Sequence, residues 1–482
     1  MTDPDSAPWE YVPAPESAGL AGLASEYRLF VDGTFSAGSG EKTTSVNPAT
    51  TEELATVAGT ANSDMDRAVE AASGAFRDRW GGLDGSARAK YLFRLARLLQ
   101  ERGRELAVLE SLDTGKPVRQ AREFDLPNAA AYFLHHAGWA DKLDYAGFGP
   151  DPAPFGVVGQ VLPWNFPLLT LAQQVAPALA CGNTVVVKPA ETTPLSALVF
   201  AELCQQADLP PGVVNILTGG AHTGEKLLSH PGVAKPAFVG STEVGRRIRH
   251  RLAGTGRTPV LTLGGSGTNI VFADAPVEQA VQGVVDGAFF NQGHVRGAGS
   301  RVLVEESVAE EFVERVCERT ATLRVGDPLD RNTDVGAVNS AAELDRITRL
   351  VETGEAEGAR RWSSPHPLPE RGYFLAPTVF SEVHQSMRLA REEVFGPVLS
   401  VLTFRIPEEA VTKANNTPHG LAAGVWSEKG SRTLWTANRL RTGVVWGNTF
   451  HRFDPTAPFG GERESGSDRV GGRAGLEAYL DV

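Results

Sequence analysis

From residue 155 to residue 240 short apolar runs alternate with helical periodicity, and the alternation resumes from residue 300 to about 404. Gly156-Val157-Val158-Gly159-Gln160-Val161-Leu162-Pro163, Thr184-Val185-Val186-Val187-Lys188-Pro189, Val213-Val214-Asn215-Ile216-Leu217 and Ala237-Phe238-Val239-Gly240 read as strands. Helices are predicted over 168–180, 196–208 and 244–252. Apolar strands separated by helices indicate a parallel, doubly wound sheet covered on both faces. Upstream, helical periodicity runs over 63–80, 86–112 and 128–142. Residues 27–35 alternate and turn at Asp32-Gly33, a hairpin signal. The simplest parse is two α/β domains with residues 289–301 at their junction. Residues 354–369, rich in Gly, Ser, Pro and charge, are predicted to be a surface loop.

A chain of 482 residues, 41% hydrophobic and 22% charged, suits a soluble globular protein with a large core. Its net charge of −12 argues against nucleic acid or an anionic membrane as partner, since both need a basic face. No apolar run is long enough to span a bilayer, and the N-terminus lacks a basic region followed by an apolar stretch. Cys181, Cys204 and Cys317 form no paired spacing and no metal-type cluster, so no metal is expected. A sparse, odd set of cysteines fits a cytoplasmic location. Residues 1–16 read as a tail or an extended arm, with Trp9 and Tyr11 as candidate anchors.

Eight short motifs, in order along nearly the whole chain, resemble the aldehyde dehydrogenases. Leu112-Asp113-Thr114-Gly115-Lys116-Pro117 is similar to that family's L-D-T-G-K-P, and Leu162-Pro163-Trp164-Asn165-Phe166-Pro167 to its P-W-N-F-P. Lys188-Pro189-Ala190-Glu191, Pro211-Gly212-Val213-Val214-Asn215 and Gly240-Ser241-Thr242-Glu243-Val244-Gly245 match further segments. So do Glu392-Glu393-Val394-Phe395-Gly396-Pro397 and Pro458-Phe459-Gly460-Gly461. The eighth, residues 289–301, is similar to the family's F-F-N-Q-G-Q-x-C-x-A-G-S-R. There the attacking cysteine is replaced by Arg296 and the preceding glutamine by His294.

The resemblance implies an α/β aldehyde dehydrogenase fold. It joins a Rossmann-like NAD-binding domain (27–138 and 155–262) to a catalytic-type α/β domain (263–448). An N-terminal arm (1–26), a shortened oligomerisation link (139–154) and a C-terminal segment (449–482) complete the parse. NAD is the implied cofactor. Gly240, Ser241 and Gly245 open a helix after a strand, where backbone N–H groups favour a pyrophosphate. Lys188 and Glu191 are implied to bind the adenosine ribose, and a carboxylate there favours NAD over NADP. Glu393 is implied to hold the nicotinamide ribose. Trp164 belongs to the same cofactor-binding set, and Phe395 packs beside the ring or is plain core.

The family's chemistry needs a thiolate, oxyanion donors and a base that activates water. Asn165 matches the oxyanion asparagine. The base glutamate of the E-L-G-G segment is Thr262 in Thr262-Leu263-Gly264-Gly265. A guanidinium stays protonated and carries no usable lone pair, so Arg296 forms no thiohemiacetal. Losing the nucleophile of a covalent mechanism costs on the order of 10⁴–10⁶ in turnover. Arg296 either fills the funnel, pairs with a nearby acid, or clamps a carboxylate or phosphate. His294 is a candidate base or a solvated loop histidine. The cysteines offer no substitute nucleophile.

The link after Ala140-Asp141-Lys142 is shorter than the family's two-strand excursion, and the chain stops at Gly475-Leu476-Glu477-Ala478-Tyr479-Leu480-Asp481-Val482. Both departures argue against the family's common tetramer and leave a homodimer through helices. With the N-terminal residues 10–17, they resemble the sixteenth aldehyde dehydrogenase family, in which some members lack the cysteine. A second aldehyde dehydrogenase-like chain is then an expected partner. The leading expectation is a catalytically impaired homologue that binds NAD(H) and serves as a binding or partner subunit. The alternatives are an active NAD-dependent oxidoreductase acting on aldehydes without a cysteine, through His294 and Asn165, and a structural partner that no longer binds nucleotide.

Overall fold

The computed structural model describes residues 12–482; Trp9 and Tyr11 lie outside the described residues. Two seven-stranded sheets dominate it. The first runs in the spatial order Val260–Thr262, Lys235–Val239, Val157–Val161, Thr184–Lys188, Val214–Ile216, Leu29–Val31, Thr34–Ser36. Its first five strands are parallel, and the hairpin turning at Asp32 and Gly33, both at positive φ, adds two antiparallel strands. The second sheet runs Arg360–Ser363, Thr378–Ser381, Val398–Phe404, Arg301–Glu305, Thr268–Val271, Ala422–Trp426, Val444–Gly447. It is parallel apart from its first strand.

Strand burial follows the pleat. Val158, Val185 and Val187 pack into one helical layer with Ala172, Val175 and Phe200. Val157, Val161 and Val186 pack on the opposite face with Met65, Val69 and Leu227. Both faces are dry, which is why these strands read as continuous apolar runs.

Three expectations are corrected. The helix predicted over 86–112 is two, Gly85–Glu101 and Gly103–Thr114, broken at Arg102 beside a glycine. The helix predicted over 128–142 spans Leu126–Ala137 and then turns. Within the predicted loop 354–369, the helix Ala341–Ala356 is still ending and Arg360–Ser363 forms an edge strand. Its two arginines disguise it, because an edge strand tolerates charge that an inner strand does not. The N-terminal arm is docked where it is described. Glu16 is buried, with its carboxylate 2.8 Å from Arg104 and 2.7 Å from Arg331, and Pro15 bridges to Asp330.

Residues 139–154 end in a short strand: Ala153–Pro154 pairs antiparallel with Leu480–Asp481. No helix among the described residues is long and apolar enough to cross a membrane.

A buried polar cluster ties the helical layer to the junction between the sheets. Glu110, Asp113, Lys116 and Asp125 are all essentially inaccessible. Glu110 accepts hydrogen bonds from the Leu168 N–H (2.9 Å) and the Ser196 hydroxyl (2.7 Å). Asp113 accepts from the Ser45 hydroxyl (2.5 Å) and the Leu195 N–H (3.0 Å). The two carboxylates thereby satisfy N–H groups at the starts of helices Pro167–Ala180 and Leu195–Gln206. Lys116 pairs with Asp125 and lies over the Phe166 ring at 4.3 Å.

Breaking a buried pair strands one charge in a dry interior. Lys116→Met is therefore expected to destabilise the protein by about 3–5 kcal/mol in urea denaturation. Lys116→Met combined with Asp125→Leu is expected to recover most of that loss. Equal destabilisation by the single and double variants would contradict the pairing.

Candidate functional site

The segment between helix Val277–Phe289 and strand Arg301–Glu305 returns to the second sheet through a turn of unusual backbone strain. Asn291 (φ 50°) and Gln292 (φ 54°) are both left-handed without being glycine. The surroundings hold them there. The Asn291 side-chain amide donates to the Asn165 carbonyl (2.8 Å), the Asn291 N–H donates to the Gln120 side chain (2.8 Å), and the Gln292 amide donates to the Ala337 carbonyl (3.0 Å). Gly293 fits because a Cβ there would lie 2.0 Å from the Gly396 carbonyl oxygen. The strained turn fixes the direction in which residues 294–296 run toward strand Arg301–Glu305.

Those residues separate two cavities. One is a cleft of about 610 Å³ lined by Trp164, Lys188, Glu191, Gly240, Ser241, Glu393 and Phe395. The other is a narrow tunnel of about 90 Å³, walled largely by aromatic and aliphatic side chains such as Phe166, Phe453 and Phe459. Arg296 lines both. Asn165 and Thr262 line the tunnel with it, so the three positions singled out in the sequence for chemistry converge. The tunnel widens at Phe124, Asn128, His451 and Phe453 into a vestibule bearing Arg119, Glu123, Glu278, Asp286 and Arg319.

Arg296 has little to hold it. Its Cζ lies 5.4 Å from the Phe395 ring centroid, and its Nε is buried without a hydrogen-bond partner. Among the described residues no hydrogen bond or ion pair reaches the guanidinium. Arg301, five positions on, is the contrast. Its guanidinium donates to the Thr268 hydroxyl (2.7 and 3.1 Å) and to the Ala390 (3.3 Å) and Ala414 (2.9 Å) carbonyls. Burial depresses the Arg296 pKa, and the charges of Glu393 and Glu343 oppose that shift.

Glu393 answers with the reverse shift. Desolvation pushes its carboxyl up to about 7, against the pull of Arg296 and the Gly265 N–H. Its Oε1 is also buried without a partner.

Asn165 is 4% exposed and donates one amide N–H to the His294 carbonyl at 2.7 Å. Thr262 ends its strand in a bridge to Gly466, and its carbonyl accepts from the Gly240 N–H (3.1 Å). His294 is corrected from a loop residue in solvent to a buried one, 1% exposed. It is wedged 4.7 Å from the Trp164 ring and 5.6 Å from Phe395. Desolvation lowers its pKa to about 3, so it stays neutral and is a poor proton acceptor at neutral pH. Cys181 and Cys204 are buried, with desolvation pushing both thiols well above their ordinary value.

On the cleft side, Ser241 caps helix Thr242–Leu252, its hydroxyl accepting from the Val244 N–H at 3.4 Å. Lys188 Nζ donates to the Pro189 and Gly219 carbonyls, both at 2.7 Å, and lies 3.9 Å from Glu191. Gly245 is not part of the lining: a Cβ there would lie 2.5 Å from Leu263, so this glycine admits the helix against the strand end. Phe395, at φ 51°, lines the cleft rather than the core.

The sequence reading missed Glu343, Arg346 and Arg247, which also line the cleft. Arg346 binds Glu343 at 2.9 Å and the Val394 carbonyl at 2.6 Å, one residue from Glu393. Their i,i+3 spacing behind the Ser340 cap signals a helix start, but nothing in it points to a cleft.

A carboxyl whose folded pKa lies above its unfolded value binds more protons in the folded state between the two. Its contribution to stability is present below about 4.5 and is lost as pH rises through about 7. Glu393→Gln is expected to flatten that decline in thermal unfolding scans between pH 5 and 8, with the variant gaining on the parent as pH rises. Parallel pH profiles would show that Glu393 titrates normally.

The Aldehyde dehydrogenase family profile matches residues 35–482. Human retinal dehydrogenase 2 is 43% identical over 449 residues, covering 90% of this chain and 86% of the relative. The NAD+ complex of aldehyde dehydrogenase from Bacillus cereus superimposes with a TM-score of 0.92 at 36% identity, covering 97% of this chain and 98% of that one. P. syringae indole-3-acetaldehyde dehydrogenase, solved with NAD+ and IAA, gives a TM-score of 0.92 at 38% identity over 96% of this chain and 97% of its own. Two largely parallel sheets, a strained turn at residues 291–293 and a cleft and a tunnel that share Arg296 thus accompany homology over almost the full length: the chain belongs to the aldehyde dehydrogenase family.

Proposed function

We propose that this chain is an NAD(H)-binding oxidoreductase scaffold of the aldehyde dehydrogenase family in which the covalent thiol route is closed. The observation that carries the reading is the joint lining of one tunnel by Asn165, Arg296 and Thr262. The oxyanion position is kept, while an arginine and a threonine stand where the family pattern has its nucleophile and base. Its role is then that of a binding or partner subunit, and the likeness to the sixteenth aldehyde dehydrogenase family supports the same conclusion.

The cleft fits NAD(H). Glu393 lines its wall, a carboxyl suited to a ribose hydroxyl. Lys188 and Glu191 sit together at the other end, and Gly240 and Ser241 lead into a capped helix start between them. When bound, the nicotinamide supplies hydride acceptance or donation. The residues of this chain would orient it between Trp164 and Phe395 and place the Arg296 charge nearby. That charge opposes the cationic oxidised ring by about 1 kcal/mol. NADH is therefore expected to bind about fivefold more tightly than NAD+ in calorimetric titration. Arg296→Ala is expected to erase the difference. Equal affinities in the parent would remove Arg296 from the nicotinamide's neighbourhood.

The second reading is an active NAD-dependent oxidoreductase that acts on aldehydes without a cysteine. The dehydrogenase names of the relatives favour it. Its weak point is the base, since His294 is neutral, buried and hard to protonate. The first reading expects no NADH formation from an aldehyde panel above background; steady turnover would establish the second. Arg296→Cys with Thr262→Glu is expected to restore measurable dehydrogenase or esterase activity. A folded but silent double variant would mean that more of the tunnel has changed than these two positions.

A further inference from the structure

Two guanidiniums and two carboxyls line the end of the cleft that holds Trp164 and Phe395, whose rings lie 5.3 Å apart. Arg346 is spent on structure: it pairs with Glu343 at 2.9 Å and donates to the Val394 carbonyl at 2.6 Å. That pair takes Glu343 out of the charge balance and leaves Arg296 and Glu393, which are unequal. Desolvation drives the Glu393 carboxyl up to about 7, so near neutral pH about half of its charge is gone. A guanidinium keeps its charge throughout. Among the described residues Arg296 makes no hydrogen bond or ion pair, and its Cζ lies 5.4 Å from the centroid of the Phe395 ring on the cleft wall. This end of the cleft therefore carries surplus positive charge, on a group with unused donors.

The far end suits the other half of a dinucleotide. Lys188 and Glu191 stand at a strand end, and Gly240 and Ser241 lead into the capped start of helix Thr242–Leu252. An acid at a strand end and a helix start fit the adenosine ribose and the pyrophosphate. The distal ring of a bound dinucleotide then belongs at the aromatic end, beside Arg296.

We propose that the cleft selects a pyridine dinucleotide whose ring bears a carboxylate in place of the carboxamide, with Arg296 as the residue that recognises it. The inference rests on the reading of the cleft as a dinucleotide site and narrows its ligand class. The fork of guanidinium donors matches the two oxygens of a carboxylate. A carboxamide offers one acceptor, and its NH₂ brings donors to a group that has only donors. The carboxylate also offsets the Arg296 charge that opposes an oxidised, cationic ring.

The test is isothermal titration of the full chain with NAD+, NADH and nicotinic acid adenine dinucleotide, the last differing from NAD+ only in carrying the carboxylate. It is expected to bind about tenfold more tightly than NAD+ or better. Arg296→Ala is expected to bring the two within about twofold, and Arg296→Lys, which keeps the charge and loses the fork, to retain only part of the preference. Equal affinities in the parent, tighter binding of NAD+, or a preference that persists in Arg296→Ala would overturn the proposal. The comparison of carboxylate with carboxamide needs no variant, so it decides even if Arg296→Ala fails to fold. If none of the three dinucleotides binds, the reading of the cleft falls and the proposal with it; if NADH binds and the carboxylate gives no advantage, the proposal alone falls.

Discussion

One guanidinium, placed where two cavities meet, organises the functional half of this molecule. Arg296 is presented by a turn whose strain is held by the Asn165, Gln120 and Ala337 contacts, so its side chain has few other places to go. Placed there, it perturbs its neighbours on the cleft side. It pulls on Glu393, whose carboxyl is nevertheless driven up by desolvation. Its own charge is disfavoured by the same burial. Two opposite groups, each penalised by the dry surroundings and neither bonded to the other, leave this junction without the direct ion pair that Lys116 and Asp125 form.

The contrast with the Lys116–Asp125 pair makes the point by magnitude. Both sites bury charge, but Lys116 has a carboxylate partner and an aromatic ring beneath it. That pair and its neighbours Glu110 and Asp113 serve helix starts and strand connections, which is structural work. At the junction Arg296 and Glu393 line the cavities without pairing with each other. A protein of marginal stability keeps such an arrangement most readily where something else completes it.

Much of the fold was legible because its signals are redundant. Doubly buried strands such as Thr184–Lys188 announce themselves by unbroken apolar runs, and the Asp32-Gly33 turn by its chemistry. The edge strand Arg360–Ser363 was not legible, since half of it faces water and carries arginine. Site residues divide in the same way. Asn165, Thr262 and Arg296 stood out because a motif put them in register. Glu343 and Arg346 did not, because their meaning comes from a helix docking beside Glu393, a long-range fact. Gly245 looked like part of an anion-binding loop and is a packing glycine. His294 looked solvated because it is a polar residue in a glycine-rich loop; the folded Trp164 and Phe395 pack against it.

The burial of His294 bears on how far the chemistry of this scaffold can have been rerouted. Any route that avoids a thiol needs a group to take a proton from a hydrated aldehyde, and Thr262 has none to offer at neutral pH. A neutral imidazole with its pKa near 3 is a weak acceptor, and its carbonyl is already engaged by Asn165. Glu393, with a pKa near 7, is the better-tuned acid–base group, but it lies on the cleft wall beyond Arg296 and not in the tunnel.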